Sequence, residues 1–519
     1  MGSFSARESD DRAPLRPAHT LFPSIFALAS QFPRSGTRCI DPTTAQRHDH
    51  MDANDPTDST DPTALDDPLD SAQPTDSTRS TDTDEPTRAD RSGRVALAFS
   101  GGLDTTVCVP LLETEYGYDE VIGVTVDVGQ PPEEFEEARE TAAALDLEHY
   151  VVDATDAFAE TCLDAVRANA TYQGYPLGTA LARPVIAEAI LEIAAEHGCT
   201  ALAHGCTGKG NDQLRFETVW RGSDLEVCAP VRELGLTRKF EQEYAAERDL
   251  PVEGGNEGDW SIDTNLWSRA VEGNELEEPS YVPPEGIYEW TTAPGDTESE
   301  LVEIDFEDGF PVAIDGEAMA PVALISHLNE RAGAHGVGRT DVMEDRMLGL
   351  KVRENYEHPA ATVLLSAHGA LEDLVLTGEE RSFKKSVDQR WAEKAYEGLV
   401  SAPLVSALEG FIAETQTRVT GTVTMRLAGG QARPVGRESS YGVYSASASS
   451  FNTETVGDIT QGDATGVAKY HGFQERLANA VIGSASEADD PLEAATDGGL
   501  TADADEDAGE ESPEASEER

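Results

Sequence analysis

Apolar positions follow two rhythms along this chain. From residue 94 to residue 205, short apolar runs alternate with longer stretches of helical period. Arg94–Phe99 (RVALAF), Val121–Gly129 (VIGVTVDVG), His149–Ala154 (HYVVDA) and Cys199–Gly205 (CTALAHG) read as strands. Thr106–Leu112, with a wrinkle at Pro110, Glu133–Leu145 and Arg183–Gly198 read as helices between them. Strands that are apolar throughout, separated by amphipathic helices, predict a parallel sheet covered on both faces. Such sheets bind ligands beyond the carboxyl ends of their strands. The two loops richest in glycine, after Phe99 and after His204, both fall at such ends.

From about residue 257 the rhythm changes. Glu300–Ile314 (ELVEIDFEDGFPVAI) and Arg418–Gly436 (RVTGTVTMRLAGGQARPVG) alternate in character and carry turn residues at their bends, which predicts antiparallel hairpins. Pro321–Ala332 and Phe383–Gly410 predict helices. The expected fold class is α/β: a Rossmann-like parallel-sheet domain over 93–256, then a second, α+β domain over 257–436. Residues 437–483 are expected to close the chain and pack against a neighbouring copy.

Composition changes abruptly at Gly93. Residues 51–92 hold 12 acidic residues and 3 Arg among repeated Asp, Pro, Ser and Thr, and residues 484–519 hold 14 acidic residues and one Arg. So few apolar side chains cannot offset the ordering entropy of a fold. Residues 1–92 are therefore expected to be a disordered N-terminal extension, and 484–519 an acidic disordered tail. Leu21–Ser30 is broken by Pro23 and preceded by acids, so it makes a poor signal peptide. Residues 1–50 read as an upstream extension, with Met1 and Met51 as alternative starts. No run of about 18 apolar residues predicts a membrane span.

Charge narrows the partners. The chain carries 99 acidic against 38 basic residues, a formal charge of −61, with about −40 of it on residues 93–483. Such a surface repels nucleic-acid phosphates and anionic membranes, so neither is expected as a partner. Only 7 of the basic residues are Lys. A carboxylate shell poor in Lys suits molar salt, where the Debye length is about 3 Å and self-repulsion is screened. This predicts a halophilic protein of a high-salt cytoplasm. Cys39, Cys108, Cys162, Cys199, Cys206 and Cys228 form no CxxC pair, which predicts reduced cytosolic thiols rather than disulfides or a zinc site.

The chemistry is concentrated in the two glycine-rich loops. SGGLDT, Ser100–Thr105, follows a strand and opens a helix. Gly101 and Gly102 let the backbone turn and bring its N–H groups close to a ligand. The helix N-terminus adds its dipole, and Ser100, Thr105 and Thr106 add neutral hydroxyl donors. Such a loop holds a pyrophosphate without many Lys. It is not a Walker A loop, which requires GxxxxGK[ST]. The second loop, HGCTGKGNDQLRFE (His204–Glu217), contains Lys209, one of the 7 lysines, whose place in this loop points to function.

SGGLDT resembles the PP-loop of the ATP pyrophosphatase superfamily. HGCTGKGNDQLRFE resembles the signature of the argininosuccinate synthase family within it. Four further strings are similar to that family: YPLGTALARP (Tyr175–Pro184), WSIDTNLWSRAVEGNELEEP (Trp260–Pro279), HGVGRTDVMEDRMLGLKVRENYEHP (His335–Pro359) and GRESS (Gly436–Ser440). The resemblance covers about residues 94–480. It implies an ATP-binding PP-loop domain, a synthetase domain, a homotetramer, and the joining of citrulline to aspartate with release of AMP and pyrophosphate. ATP is implied as substrate, and Mg²⁺ as its companion, held mainly by phosphates and water.

By that resemblance, Ala98, Phe99, Ser100, Gly101, Gly102, Leu103, Asp104, Thr105 and Thr106 line the ATP phosphates. Val126 contacts adenosine through its backbone, and Gly205 lies near ATP. Thr207, Asn211 and Asp212 hold aspartate. Tyr175, Thr179, Asn211, Arg215, Ser261, Ala270, Glu344 and Tyr356 belong to the citrulline site. Ala180 and Ala270 stand where some family members have Ser, so hydrogen bonds there fall to backbone or neighbours. Asp104 reads either as a Mg²⁺-side carboxylate or as a cap of the following helix. No enzyme nucleophile is implied, and no Ser-His-Asp or Cys-His arrangement stands out. The rival readings are another PP-loop enzyme (asparagine, GMP or NAD synthetase, or a tRNA thiolation enzyme) and a catalytically silent nucleotide-binding module.

Overall fold

Five strands, β1 (Arg94–Ala98), β2 (Glu120–Asp127), β3 (Glu148–Asp153), β4 (Ala201–Ala203) and β5 (Glu226–Cys228), form a parallel sheet in the order β3-β2-β1-β4-β5. This is a computed structural model, and it describes residues 91–252, 260–295, 298–452 and 455–484. The expectations for residues 1–90 and 485–519 lie outside the described residues. The strand order reverses between β1 and β4, so the carboxyl ends of these neighbours flank a switch-point crevice.

Alternation along β1 explains why it is apolar throughout. Val95 and Leu97 pack with Cys108, Leu112 and Tyr116 on one face, while Ala96 packs with Ile122, Phe158 and Ile190 on the other. The helices are α1 (Leu103–Thr114), α2 (Pro132–Ala144), α3 (Thr155–Arg167), α4 (Thr179–Glu196), α5 (Asp212–Trp220) and α6 (Arg238–Glu247). α1 runs through Pro110 instead of ending there, because Val107, Cys108, Leu111 and Leu112 are buried along its length. α4 begins four residues before the expected Arg183 and contains Pro184; burial of Leu181, Val185, Ile186 and Ile190 outweighs the lost backbone bond.

The second region has two antiparallel sheets. β6 (Ser261–Thr264), β7 (Arg269–Glu272), β10 (Arg339–Asp345) and β11 (Lys351–Glu357) form one, ordered β10-β11-β7-β6; β8 (Glu300–Glu307), β9 (Phe310–Ile314), β12 (Gly421–Ala428) and β13 (Gln431–Glu438) build the other. The second contains both expected hairpins. α7 (Pro321–Ala334), α8 (Pro359–Val375), α9 (Gly378–Tyr396) and α10 (Pro403–Gln416) complete the region. The helical run expected over Phe383–Gly410 divides into α9 and α10, because Gly398 turns at φ 73° and Pro403 opens a new helix.

The regions are joined at the sheet's carboxyl edge, where the Leu266 N–H donates to Val128 O at 2.9 Å. Residues up to Tyr441 form one unit and those from Gly442 another. The second holds the helices Ala464–Tyr470 and Phe473–Ser484 and exposes Phe451, Ile459, Val467, Tyr470 and Ile482.

Candidate functional site

The first glycine loop leaves β1 at Ala98. The Phe99 N–H continues the ladder to Val124 O at 3.0 Å, and Phe99 is buried. Gly101 sits at φ 78°, and a Cβ there would come within 2.8 Å of the Ala138 Cα, so the loop fits tightly beneath α2. Gly102 caps α1 with extended backbone and no side-chain bond. The hydroxyls tie the loop to itself: Ser100 Oγ lies 3.2 Å from Thr105 Oγ1, Thr105 donates to Gly102 O at 3.2 Å, and Thr106 donates to Gly101 O at 3.2 Å. Leu103 packs beside the Val107–Tyr244 cluster. The result is a prearranged run of N–H groups and hydroxyls at a helix N-terminus, suited to phosphate oxygens.

The second glycine loop meets the first. A Cβ on Gly205 would lie 3.2 Å from both the Asp104 carbonyl carbon and the Thr105 nitrogen, so the loops are in direct apposition. Glu217 of α5 anchors this loop from behind, taking hydrogen bonds from Arg221, Arg232 and His204, and these partners outweigh burial to hold its carboxyl down at about 2. Thr207 and Lys209 are exposed on the loop, and Asn211 is buried at the start of α5. On β2, the Val126 carbonyl accepts from Gln130 Nε2 at 3.0 Å.

Asp104 does not cap α1. Its carboxyl hydrogen-bonds to that of Glu241 on α6, where burial raises both and brings Glu241 to about 7. Burial likewise raises the thiols of Cys108, Cys162, Cys199, Cys206 and Cys228, all free, which argues against a thiolate nucleophile.

The second group of sequence-selected residues gathers on one face of the β10-β11-β7-β6 sheet. Tyr356 pairs with Ala270, which pairs with Asp263, so these residues share a face with Ser261 and Glu344, two-residue steps away along their strands. Buried Glu344 accepts from the hydroxyls of Tyr175, Tyr356 at 3.3 Å and Tyr396 at 2.5 Å. Tyr175 stacks on Tyr356 with centroids 4.8 Å apart, and Ala270 packs against both. Ala270 brings no hydrogen-bonding group, and Ser261 stands at the exposed edge of the face. Ala180 is buried in the core of α4. The cluster is a carboxylate walled by aromatic rings, the chemistry that receives an ammonium group.

Asp212 and Arg215 lie between the two groups. Asp212 Oδ1 accepts from Arg215 Nη1 at 3.0 Å and Oδ2 from Arg183 Nε at 2.8 Å. Burial pushes the Asp212 carboxyl up, but the two guanidiniums prevail and hold it below its ordinary value. Arg183 also donates to Asp263 Oδ2 at 3.0 Å, and Thr179 Oγ1 donates to the same oxygen at 2.7 Å. Arg183, Asp263 and Tyr396 were not selected from the sequence. Arg183 and Asp263 lie within Tyr175–Pro184 and Trp260–Pro279, and an Arg in an apolar helix was a legible signal. Tyr396 carried none, being the last residue of an otherwise ordinary helix.

Comparison with known proteins agrees with this arrangement. Residues 94–251 match the model of the arginosuccinate synthase N-terminal HUP domain, and residues 260–478 that of the arginosuccinate synthase C-terminal domain. The chain is 78% identical over 395 residues to the argininosuccinate synthase of Natronomonas pharaonis, covering 76% of this chain and 98% of that protein. It is 74% identical over 391 residues to that of Halobacterium salinarum, covering 75% and 98%. For Methanococcoides burtonii the figures are 55% over 388 residues, covering 74% and 98%. With both domain models matched in order across the two abutting loops and the tyrosine-lined carboxylate, this chain belongs to the argininosuccinate synthase family and is a ligase that forms a carbon–nitrogen bond.

Proposed function

We propose that the two loops and the sheet face form one site that joins L-citrulline to L-aspartate in arginine biosynthesis, driven by cleavage of ATP to AMP and pyrophosphate. The observation that carries this reading is the apposition of Gly205 against Asp104 and Thr105, which brings the second loop, and α5 behind it, to the phosphate-binding loop. Ala98–Thr106 take the triphosphate through backbone N–H groups and hydroxyls, and the Val126 backbone and Gly205 adjoin the nucleotide. Glu344, with Tyr175 and Tyr356, receives the ammonium of citrulline. Arg215 pairs with its carboxylate, and Thr179, Ser261 and Ala270 border it. Thr207, Asn211 and Asp212 hold aspartate, and Asn211, between the two reactants, also adjoins citrulline.

Citrulline's ureido carbon is a poor electrophile and first needs a leaving group. The ureido oxygen attacks the α-phosphorus, an oxygen–phosphorus bond forms, and pyrophosphate departs into the first loop. The aspartate amine then attacks the ureido carbon, the carbon–oxygen bond breaks, and AMP leaves. These steps require alignment and charge stabilisation rather than a nucleophile from the protein. A Mg²⁺ ion arriving with ATP would offset phosphate charge, and among the described residues no cluster of His, Cys, Asp or Glu is arranged to hold it by protein alone. Asp104, within the first loop, is already engaged with Glu241.

The same reading places the enzyme in a high-salt cytoplasm as a homotetramer. Among the described residues no helix is long and apolar enough to cross a membrane. The apolar side chains exposed beyond Gly442 support association between copies. The test is pyrophosphate release at high salt from ATP, Mg²⁺, citrulline and aspartate, omitting each amino acid in turn. Release is expected to require citrulline, and AMP turnover to require aspartate as well; turnover indifferent to citrulline refutes the assignment. Light scattering of the full chain checks the tetramer.

A further inference from the structure

Tyr396 ends α9 and reaches three of the residues assigned to amino-acid binding. Its placement follows from Gly398 two residues on, where a Cβ would sit 3.0 Å from the Arg215 Cα, so only a bare backbone lets the end of α9 approach α5 this closely. Its ring stacks on Tyr172 with centroids 3.7 Å apart. Its carbonyl oxygen accepts from Arg215 Nε at 3.0 Å, and the Arg215 guanidinium lies 5.0 Å over the ring.

The hydroxyl makes the consequential contacts. It receives Asn211 Nδ2 at 2.7 Å and donates to Glu344 Oε1 at 2.5 Å. The direction of this chain is fixed by its ends. Asn211 Oδ1 accepts from the Met347 backbone N–H at 3.1 Å, which turns the amide nitrogen toward Tyr396. A carboxylate at Glu344 only accepts, and at 2.5 Å it is a nearer and stronger acceptor than the Asp345 carbonyl oxygen at 3.2 Å, so the tyrosine proton points to Glu344 and its lone pair to Asn211. Tyr175 and Tyr356 also donate to Glu344, but of the three hydroxyls Tyr396 is the one that also bonds Asn211.

We infer that Tyr396 is a positioning residue whose hydroxyl couples the two amino-acid pockets, holding Asn211 on the aspartate side and Glu344 on the citrulline side in one hydrogen-bonded chain. This rests on the substrate roles proposed above. The hydroxyl touches neither substrate in this role. It sets the rotamers of two groups that do, and linked hydrogen bonds of this kind are worth more together than apart.

Tyr396→Phe keeps the ring stack, the backbone carbonyl and the contact with Arg215, and removes only the hydroxyl. With the full chain at high salt, pyrophosphate release is followed against citrulline and against aspartate. Y396F is expected to raise both KM values about tenfold, the effect of one charge-assisted hydrogen bond and its neighbour, while kcat stays within about threefold. In an Asn211→Ala background, Y396F should add less than about twofold to the aspartate KM yet still raise the citrulline KM, since the chain to Asn211 is already cut. Three results overturn the inference. One is that Y396F moves neither KM, or only one. The second is that it raises the aspartate KM as much with N211A as without. The third is a fall in thermal midpoint of more than about 10 °C, which assigns the hydroxyl to folding. Failure of the underlying reaction is separate: it shows in the wild type, as pyrophosphate release that ignores citrulline.

Discussion

Replacing Arg183 by Met should reveal how the Asp212 carboxylate is held. The guanidinium is wedged between Asp212 at 2.8 Å and Asp263 at 3.0 Å, and Met fills most of its volume without its charge. Removing one member of a buried ion pair costs about 3–5 kcal/mol, because the remaining charge is left unpaired. Here the Asp212 and Asp263 side chains are 29% and 34% exposed, so water recovers part of that loss. Asp212 also keeps Arg215 at 3.0 Å. A loss of about 2 kcal/mol is therefore expected. Molar salt should not erase it, since partly buried pairs are screened less than surface ones. Urea unfolding at constant salt measures the loss. Steady-state kinetics should show the aspartate KM rising about tenfold, with that of citrulline changed less than about threefold. Asp263→Asn in the R183M background should return about 1 kcal/mol, because Asp263, the carboxylate left without a cation, is then neutral. The acid limb should shift as well. A carboxyl held below its ordinary value contributes stability above that value and loses it as pH falls through the lowered one, so R183M should flatten the acid limb. A loss under about 0.5 kcal/mol in R183M, with D263N acting independently, would refute the clamp.

Three further perturbations follow from the geometry. Gly101→Ala places a Cβ 2.8 Å from the Ala138 Cα at φ 78°, so a loss of about 1–3 kcal/mol and a collapse of pyrophosphate release are expected; normal turnover would show that the loop has slack. Glu241 is raised to about 7, so its contribution to stability is full below the ordinary carboxyl value and disappears as pH rises through about 7. Glu241→Gln should therefore leave the thermal midpoint nearly unchanged at pH 5 and raise it at pH 8.5, and an equal shift at both pH values would exclude the carboxyl pair. Arg215→Ala should weaken citrulline binding by about 2–5 kcal/mol by calorimetry, and unchanged affinity would remove Arg215 from the site.

The parallel sheet and both glycine loops were legible in the sequence because their causes are local. β1 and β2 are buried on both faces and so are apolar residue after residue, and the tight turn from β1 into α1 requires glycine at position 101, where φ is 78°. The two hairpins Glu300–Ile314 and Arg418–Gly436 announced themselves by alternation and by glycines at their bends. The β10-β11-β7-β6 sheet gave no such signal. Its inner side carries the partly buried Asp263 and the buried Glu344 and Glu354, whose burial is tolerable only because Arg and Tyr side chains from elsewhere satisfy them. Hydrophobic pattern cannot report a face stabilised by pairing. Arg183 stands out as a charge in an apolar helix, but its role, like those of Asp263 and Tyr396, was not legible: each acts through partners between 29 and 185 residues away, and only tertiary packing decides which charges and hydroxyls come within 3 Å of one another.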